Sequence, residues 1–373
     1  MYLRVLLAMA VMAWCAAGAS PQAQTTAGDG VPPKDGLRGL ADVHGFATTA
    51  KQMDAIVPYC RKLEANRLRA VDNDLGLGPA ARWVAAVCPH DDYVYAGQVY
   101  VDALSHLKAQ TVILFGVCHK AKQFGLRDKL VFDSYREWRG PYGPVSVSPL
   151  REEIMKRLGA EDCVVSDEAQ QSEWSVEAIV PWLQYENRKV SIVSILVPYM
   201  DWQRLDALAR RLGKAIAGVV EERGLSLGGD VAFVMSTDAT HYGDQWDDWS
   251  YAPFGCSVDG FIKAQAQDEW LIRWYLDGKL DRLKMERLSE TLVDQSDVTR
   301  YKVTWCGRFS VPLGLTTMTY LMEDLGLPSL VGTNLGYGTS IGYGFLPFDK
   351  LGLSATAHEN LHHWVSYVAE GYR

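Results

Sequence analysis

His90 follows the apolar run Trp83–Cys88 across Pro89, and His119 follows Thr111–Val117 across Cys118. Asp238 follows Val231–Ser236 across Thr237, and His241 stands three residues further on. Each run is short, continuous and apolar, which predicts strands buried on both faces. Imidazoles and a carboxylate at such ends are the groups that hold a metal ion or move protons. One His at a strand end is usually a hydrogen-bonded structural group. Three polar strand ends, in a chain with only eight His, point instead to one shared site. In open α/β sheets that site is the crevice at the carboxyl ends of the strands.

The elements that must position these residues alternate along the chain. Helical spacing begins near Lys51–Leu68, where Met53, Ile56, Val57, Cys60 and Leu63 share a face. Further helices are predicted near 97–107, 152–158, 176–185, 205–223, 261–276, 283–292 and 313–325. Strands are expected at 190–198, 330–335 and 341–345, and a closing helix from Ala355 to Tyr367. Buried strands alternating with helices predict a single-domain α/β sandwich over 51–373, with a mainly parallel sheet. Residues 20–50 read as a flexible lead-in rich in small and polar residues. Before them, Arg4, the apolar run Val5–Trp14 and Ala17-Gly18-Ala19 form a signal-peptide pattern over residues 1–19. The protein is therefore expected to be exported, most simply to a periplasm. Trp14 is a poor fit to the small residue that lipid attachment at Cys15 would want.

Composition narrows the function. Acidic residues outnumber basic ones, 45 to 37, giving a net charge of −8. With no basic block, a nucleic-acid partner is not expected. No stretch is long and apolar enough for a membrane helix, and no feature names a protein partner. Six cysteines follow the leader, without any Cys-x-x-Cys pair. In an oxidising compartment they leave disulfides open.

The residues of the three strand ends resemble a known family. Pro89-His90-Asp91-Asp92-Tyr93-Val94-Tyr95-Ala96-Gly97 is similar to the PHAGYxYSG motif of Memo-like proteins, also called AmmeMemoRadiSam system protein B. Gly116-Val117-Cys118-His119 resembles that family's GPNH, and Glu173-Trp174-Ser175-Val176-Glu177 its EHSxE. Tyr142-Gly143-Pro144-Val145 is similar to PLGxV, and Ser236–Gly243 to SSDLSHYG. Cys306-Gly307 and Ser340-Ile341-Gly342-Tyr343 match the later CG and GY segments, so the motifs run in family order over about 84–348. The resemblance implies the fold of class III extradiol ring-cleaving dioxygenases. It also implies a metal site made of His90, His119 and Cys306, with Asp238 and His241 beside it. His241 is then the proton-moving catalytic residue and Asp238 its orienting partner. Departures are specific: Trp174 stands where the family has His, Gln170 replaces another pocket His, and Asp91-Asp92 adds two carboxylates.

Two His and an anion suit iron(II), whereas a thiolate favours soft metals such as copper(I). Two functions follow: a metal-dependent oxidoreductase acting on a small-molecule substrate, or a non-catalytic periplasmic protein that binds copper or iron. A third, remote reading comes from His358-Glu359-Asn360-Leu361-His362, which fits the HExxH of zinc proteases if it lies on a helix. Only eleven residues follow His362, which leaves no extended third-ligand spacing.

Overall fold

Side chains alternate across a strand, and the central strands send apolar groups to both sides. Val112 and Leu114 enter one core, whereas Ile113 and Phe115 enter the other. Val234 and Phe233 divide in the same way. The computed structural model describes residues 30–78, 80–246, 250–357 and 359–373. Among these, the strands are β1 (Leu37–Arg38), β2 (Ala85–Cys88), β3 (Thr111–Val117), β4 (Leu130–Phe132), β5 (Glu137–Trp138), β6 (Val145–Val147) and β7 (Cys163–Val165). Then follow β8 (Ser191–Val197), β9 (Val231–Ser236), β10 (Asp238–Gly243), β11 (Gly278–Lys279), β12 (Val331–Thr339) and β13 (His363–Tyr372).

They form one mixed sheet in the order β1-β5-β6-β8-β3-β9-β2-β13-β12-β11, with β10 on β13 and β4 bridging β8 and β7. The centre, β6-β8-β3-β9-β2, is parallel throughout. Beyond β2 the strands run antiparallel.

Helices cover both faces, as an all-buried parallel centre requires. They are α1 (Ala50–Leu75), α2 (Tyr93–Leu104), α3 (Leu150–Leu158), α4 (Asp167–Gln171), α5 (Val180–Glu186), α6 (Trp202–Arg223), α7 (Val258–Leu271), α8 (Arg282–Leu292), α9 (Ser310–Asp324) and the single turn α10 (Ser340–Tyr343). α1, α2 and α5 pack on one face, and α3, α6, α8 and α9 on the other. Local chemistry sets their ends. Thr49 and Gln52 form a reciprocal capping box at the start of α1, and Asp201 caps α6 through the Arg204 amide.

Three expectations are corrected. Residues 30–49 are not a loose lead-in: Leu37-Arg38 pairs with β5, and buried Arg38 forms an ion pair with Glu177 and lies 4.1 Å over the Trp138 ring. Residues 1–29, with the signal-peptide pattern, lie outside the described residues. The closing segment is strand β13 rather than a helix. Trp364, Val365, Tyr367 and Val368 can be drawn on a helical face, but β-branched and aromatic residues held between β2, β10 and β12 take the extended form. The run at 341–345, expected as a strand, opens with α10 instead. The six cysteines from Cys60 to Cys306 are all free thiols.

One buried carboxylate joins the antiparallel half to the helices. Asp268 on α7 accepts hydrogen bonds from Thr240 Oγ1 (2.6 Å), Ser366 Oγ (2.6 Å), Trp305 Nε1 (3.0 Å) and Tyr337 Oη (3.0 Å). Replacing Asp268 with Ala strands four buried donors, so it should cost about 3–5 kcal/mol. Urea denaturation of Asp268→Ala against wild type checks this; a loss below about 1 kcal/mol would contradict it.

Candidate metal centre

β2, β9 and β3 are neighbours in the parallel centre, so their carboxyl ends open on one side of the sheet. His90, Asp238 and His119 leave those ends together. Asp238 and His241 are three apart on β10, a spacing that would normally send them to opposite faces. The β10–β13 pairing slips by one residue between them. This bulge restores a common direction, and their side chains come within 3.9 Å. Thr240, between them, turns back to Asp268.

Cys306 arrives from a different part of the chain. The segment before α9 lies against β10: Cys306 N donates to the Asp238 carbonyl and His241 N to the Thr304 carbonyl, both at 3.2 Å. Gly307 permits this approach, because a Cβ there would sit 2.3 Å from Thr237 Cβ. Its amide instead donates to Thr237 Oγ1 (2.9 Å).

The result is a compact donor set. Ligand atoms of His90, His119 and Cys306 all lie within 4.8 Å of one another, and so do those of Asp238, His241 and Cys306. Neighbouring groups fix the imidazole tautomers. Ser236 Oγ donates to the Ser175 carbonyl (2.7 Å), so its lone pair accepts from His90 Nδ1–H at 2.9 Å. His119 Nδ1–H donates to Glu173 Oε1 (2.9 Å), while the His119 amide donates to Oε2 (2.9 Å). Burial alone would raise the Glu173 pKa, but the His119 imidazole and these donors win and hold it low. With Nδ1 engaged on each ring, Nε2 is the atom that either imidazole can offer to a cation in the pocket.

The fit to a cation follows from that geometry. His90 Nε2 is buried, makes no hydrogen bond, and lies 3.2 Å from Asp238 Oδ2. A lone pair facing a carboxylate oxygen is unfavourable unless a proton or a metal ion lies between them. Burial pushes Asp238 up to about 7. Burial, with the repulsion that a proton here would meet from the neighbouring His119 and His241 imidazoles, holds His90 well below its usual range. Burial also pushes the Cys306 thiol well up, and Asp238 adds to the effect. A cation would relieve all three penalties at once, and an N/O/S donor set suits a transition metal. His241 is driven down to about 4, chiefly by burial, and its Nε2 lies 3.0 Å from Cys306 Sγ.

A cavity of about 630 Å³ opens in front of these groups. Trp174 lies flat on the His119 ring, with centroids 4.5 Å apart. Gln170 is in the core instead, bonded to Ser194 Oγ (2.8 Å) and to the Val131 carbonyl (2.9 Å). Asp91 and Asp92 tie the C-terminal segment over the pocket: Asp91 accepts from Tyr367 Oη (2.7 Å), and Asp92 from Thr356 N (2.6 Å) and Oγ1 (2.9 Å).

Residues 61–329 match the family model described as Memo-like protein. The chain belongs to the Memo-like protein family. Among its relatives is a MEMO1 family protein of Pyrococcus horikoshii, 29% identical over 253 residues that cover 65% of this chain and 77% of the relative. A MEMO1 family protein of Methanococcoides burtonii is 33% identical over 195 residues, 52% of this chain and 62% of that one. One from Caldivirga maquilingensis is 30% identical over 165 residues, 43% of this chain and just over half, 53%, of its own length. The mixed α/β sheet flanked by helices is consistent with the fold of the family and of class III extradiol dioxygenases.

The remote protease reading does not survive the geometry. His358 lies outside the described residues, and 359–362 form a turn into β13 rather than a helix. Glu359 faces the pocket, pushed up to about 7 by burial, and lies 3.5 Å from His363. His362 points elsewhere, to Asp244 (2.8 Å), beside Cys256. Glu359 stood out only as part of the HExxH pattern, and His363 not at all, because a helix was expected there. Glu173 and Ser236 were visible within the quoted motifs, but without an assigned role.

The two orienting groups are separable from the donors themselves. Glu173→Gln and Ser236→Ala should each weaken metal affinity about 10–100-fold while the fold persists. Competition with a chelator under anaerobic conditions measures this; unchanged affinity in both would show that the tautomers are set elsewhere.

Proposed function

We propose that this chain holds a redox-active transition metal on His90, His119 and Cys306 and is an oxidoreductase acting on a small molecule in the adjoining cavity. The observation that carries the reading is the pair of imidazoles whose Nδ1 atoms are held by Ser236 and Glu173. Each has Nδ1 committed to a hydrogen-bond acceptor and presents Nε2 to the thiol across a pocket large enough for a substrate. A metal bound there supplies Lewis acidity and electron transfer.

The chain's own residues do the rest. Asp238 Oδ1 accepts from the His90 amide, fixing the loop that carries the first imidazole. His241 is neutral at ordinary pH and close to both Asp238 and Cys306, so it can take a proton from a bound substrate. Trp174 covers His119 and excludes water from that side. His241→Ala should keep its metal but lose turnover by on the order of 10²–10⁴-fold.

A second reading has its own support in Cys306: a thiolate ligand favours copper(I), and the protein would then bind metal without turning over. Anaerobic purification followed by metal analysis of wild type, His90→Ala, His119→Ala, Cys306→Ser and Cys306→Asp separates the two. Iron with oxygen uptake on catechols, partly recovered in Cys306→Asp, supports the oxidoreductase. Tight copper(I) without turnover supports the binding protein. Unchanged metal content in all four correctly folded variants overturns the site.

We also propose export, on the pattern of residues 1–19. Deleting them should leave a folded protein in the cytoplasm, as fractionation would show; an unfolded product would contradict the reading.

A further inference from the structure

Helix α7 buries one face, through Phe261, Ala264, Asp268 and Leu271. Its other face is apolar too. Val258, Ile262, Ala266, Trp270 and Trp274 follow one another at intervals of four, the last in the π-helical turn Ile272–Leu276 that continues α7. All five are exposed: Val258 by 40%, Ile262 by 55%, Trp270 by 48% and Trp274 by 60%, with Ala266 in the same class. The two indoles lean on each other, with centroids 6.3 Å apart. Single exposed apolar residues need no explanation, but a continuous stripe with two tryptophans marks an interaction surface.

The charges flanking the stripe say what it fits. Counting from Ala266, Lys263 and Glu269 stand three residues either side, and Asp259 and Arg273 seven either side. All four are exposed. Each pair is opposite in sign, so the helix is complementary to itself when reversed. Rows of residues four apart are the ridges that interlock when two helices cross in the commonest packing class. A small residue at the crossing point lets the backbones approach.

We propose that a second copy of this chain docks on α7, in an antiparallel two-fold crossing centred on Ala266. At that register Ile262 meets the level of the second copy's Trp270, and Val258 that of its Trp274. Asp259 comes opposite Arg273, and Lys263 stands level with Glu269. A two-fold contact uses the same patch on both copies, so every such pairing occurs twice. The surface lies on the face of α7 away from Asp268, and the proposal is independent of the metal centre.

Sedimentation of the full chain over a wide concentration range tests this. Wild type should dimerise reversibly, and Trp270→Ser with Trp274→Ser should raise the dissociation constant by on the order of 30-fold or more. Asp259→Arg and Arg273→Asp should each weaken the dimer, and the double swap should restore it. Melting temperature and metal content confirm that each variant is folded. A chain lacking residues 1–29 should dimerise as the full chain does. A monomeric wild type, a dimer indifferent to the tryptophan changes, or a double swap no better than the single ones overturns the proposal. So does loss of the dimer on removing residues 1–29, or a monomer that binds phospholipid vesicles through the same tryptophans.

Discussion

The buried carboxylate of Asp268 is the interaction on which the rest of the site depends. It gathers donors from β10, β12, β13 and the indole of Trp305, and so holds together segments that are far apart in sequence. Two consequences reach the pocket. With Thr240 drawn back to Asp268, the residues on either side of the bulge, Asp238 and His241, face forward. With Trp305 held by the same group, Cys306 is set against Asp238. Burial pushes this carboxyl group's pKa up, and its four donors offset part of that cost in an interior where an unpaired charge would be very costly.

In front of that hub the chemistry is governed by desolvation. Burial works against the charged forms of His90, Asp238, Cys306 and His241 alike. The protein answers this in part with the His90 amide on Asp238, and around the rim with Ser236 and Glu173, which settle which imidazole nitrogen carries hydrogen. At the centre, an Nε2 without a hydrogen bond, a carboxylate and a thiol are left to face one another. Departures from the family motifs have a structural logic beside this centre. Trp174 contributes a flat apolar cover over His119. Asp91 and Asp92 pin the C-terminal segment that brings Glu359 and His363 to the cavity wall. Thr356, Glu359, His363 and Tyr367, which these contacts bring to the pocket, lie beyond the matched segment 61–329.

Much of the site was legible in the sequence, because continuous apolar runs mark buried parallel strands and such strands end where ligands bind. The runs at 111–117 and 231–236 coincide with β3 and β9. His90, His119, Asp238 and His241 could therefore be placed at one crevice from their offsets alone. Cys306 could not: about 190 residues separate it from His119, and only resemblance to the family joined them. Local pattern also failed at the C-terminus. A ten-residue run buried on both faces carries no period that distinguishes strand from helix, and its partners β2, β10 and β12 come from distant parts of the chain. Sequence by itself determined which strands would carry His90, His119 and Asp238 to one crevice. Tertiary structure alone decided the bulge that turns Asp238 and His241 the same way, the tautomers imposed by Ser236 and Glu173, and the seat of Cys306. Those depend on contacts between distant segments, for which neither periodicity nor spacing holds a record.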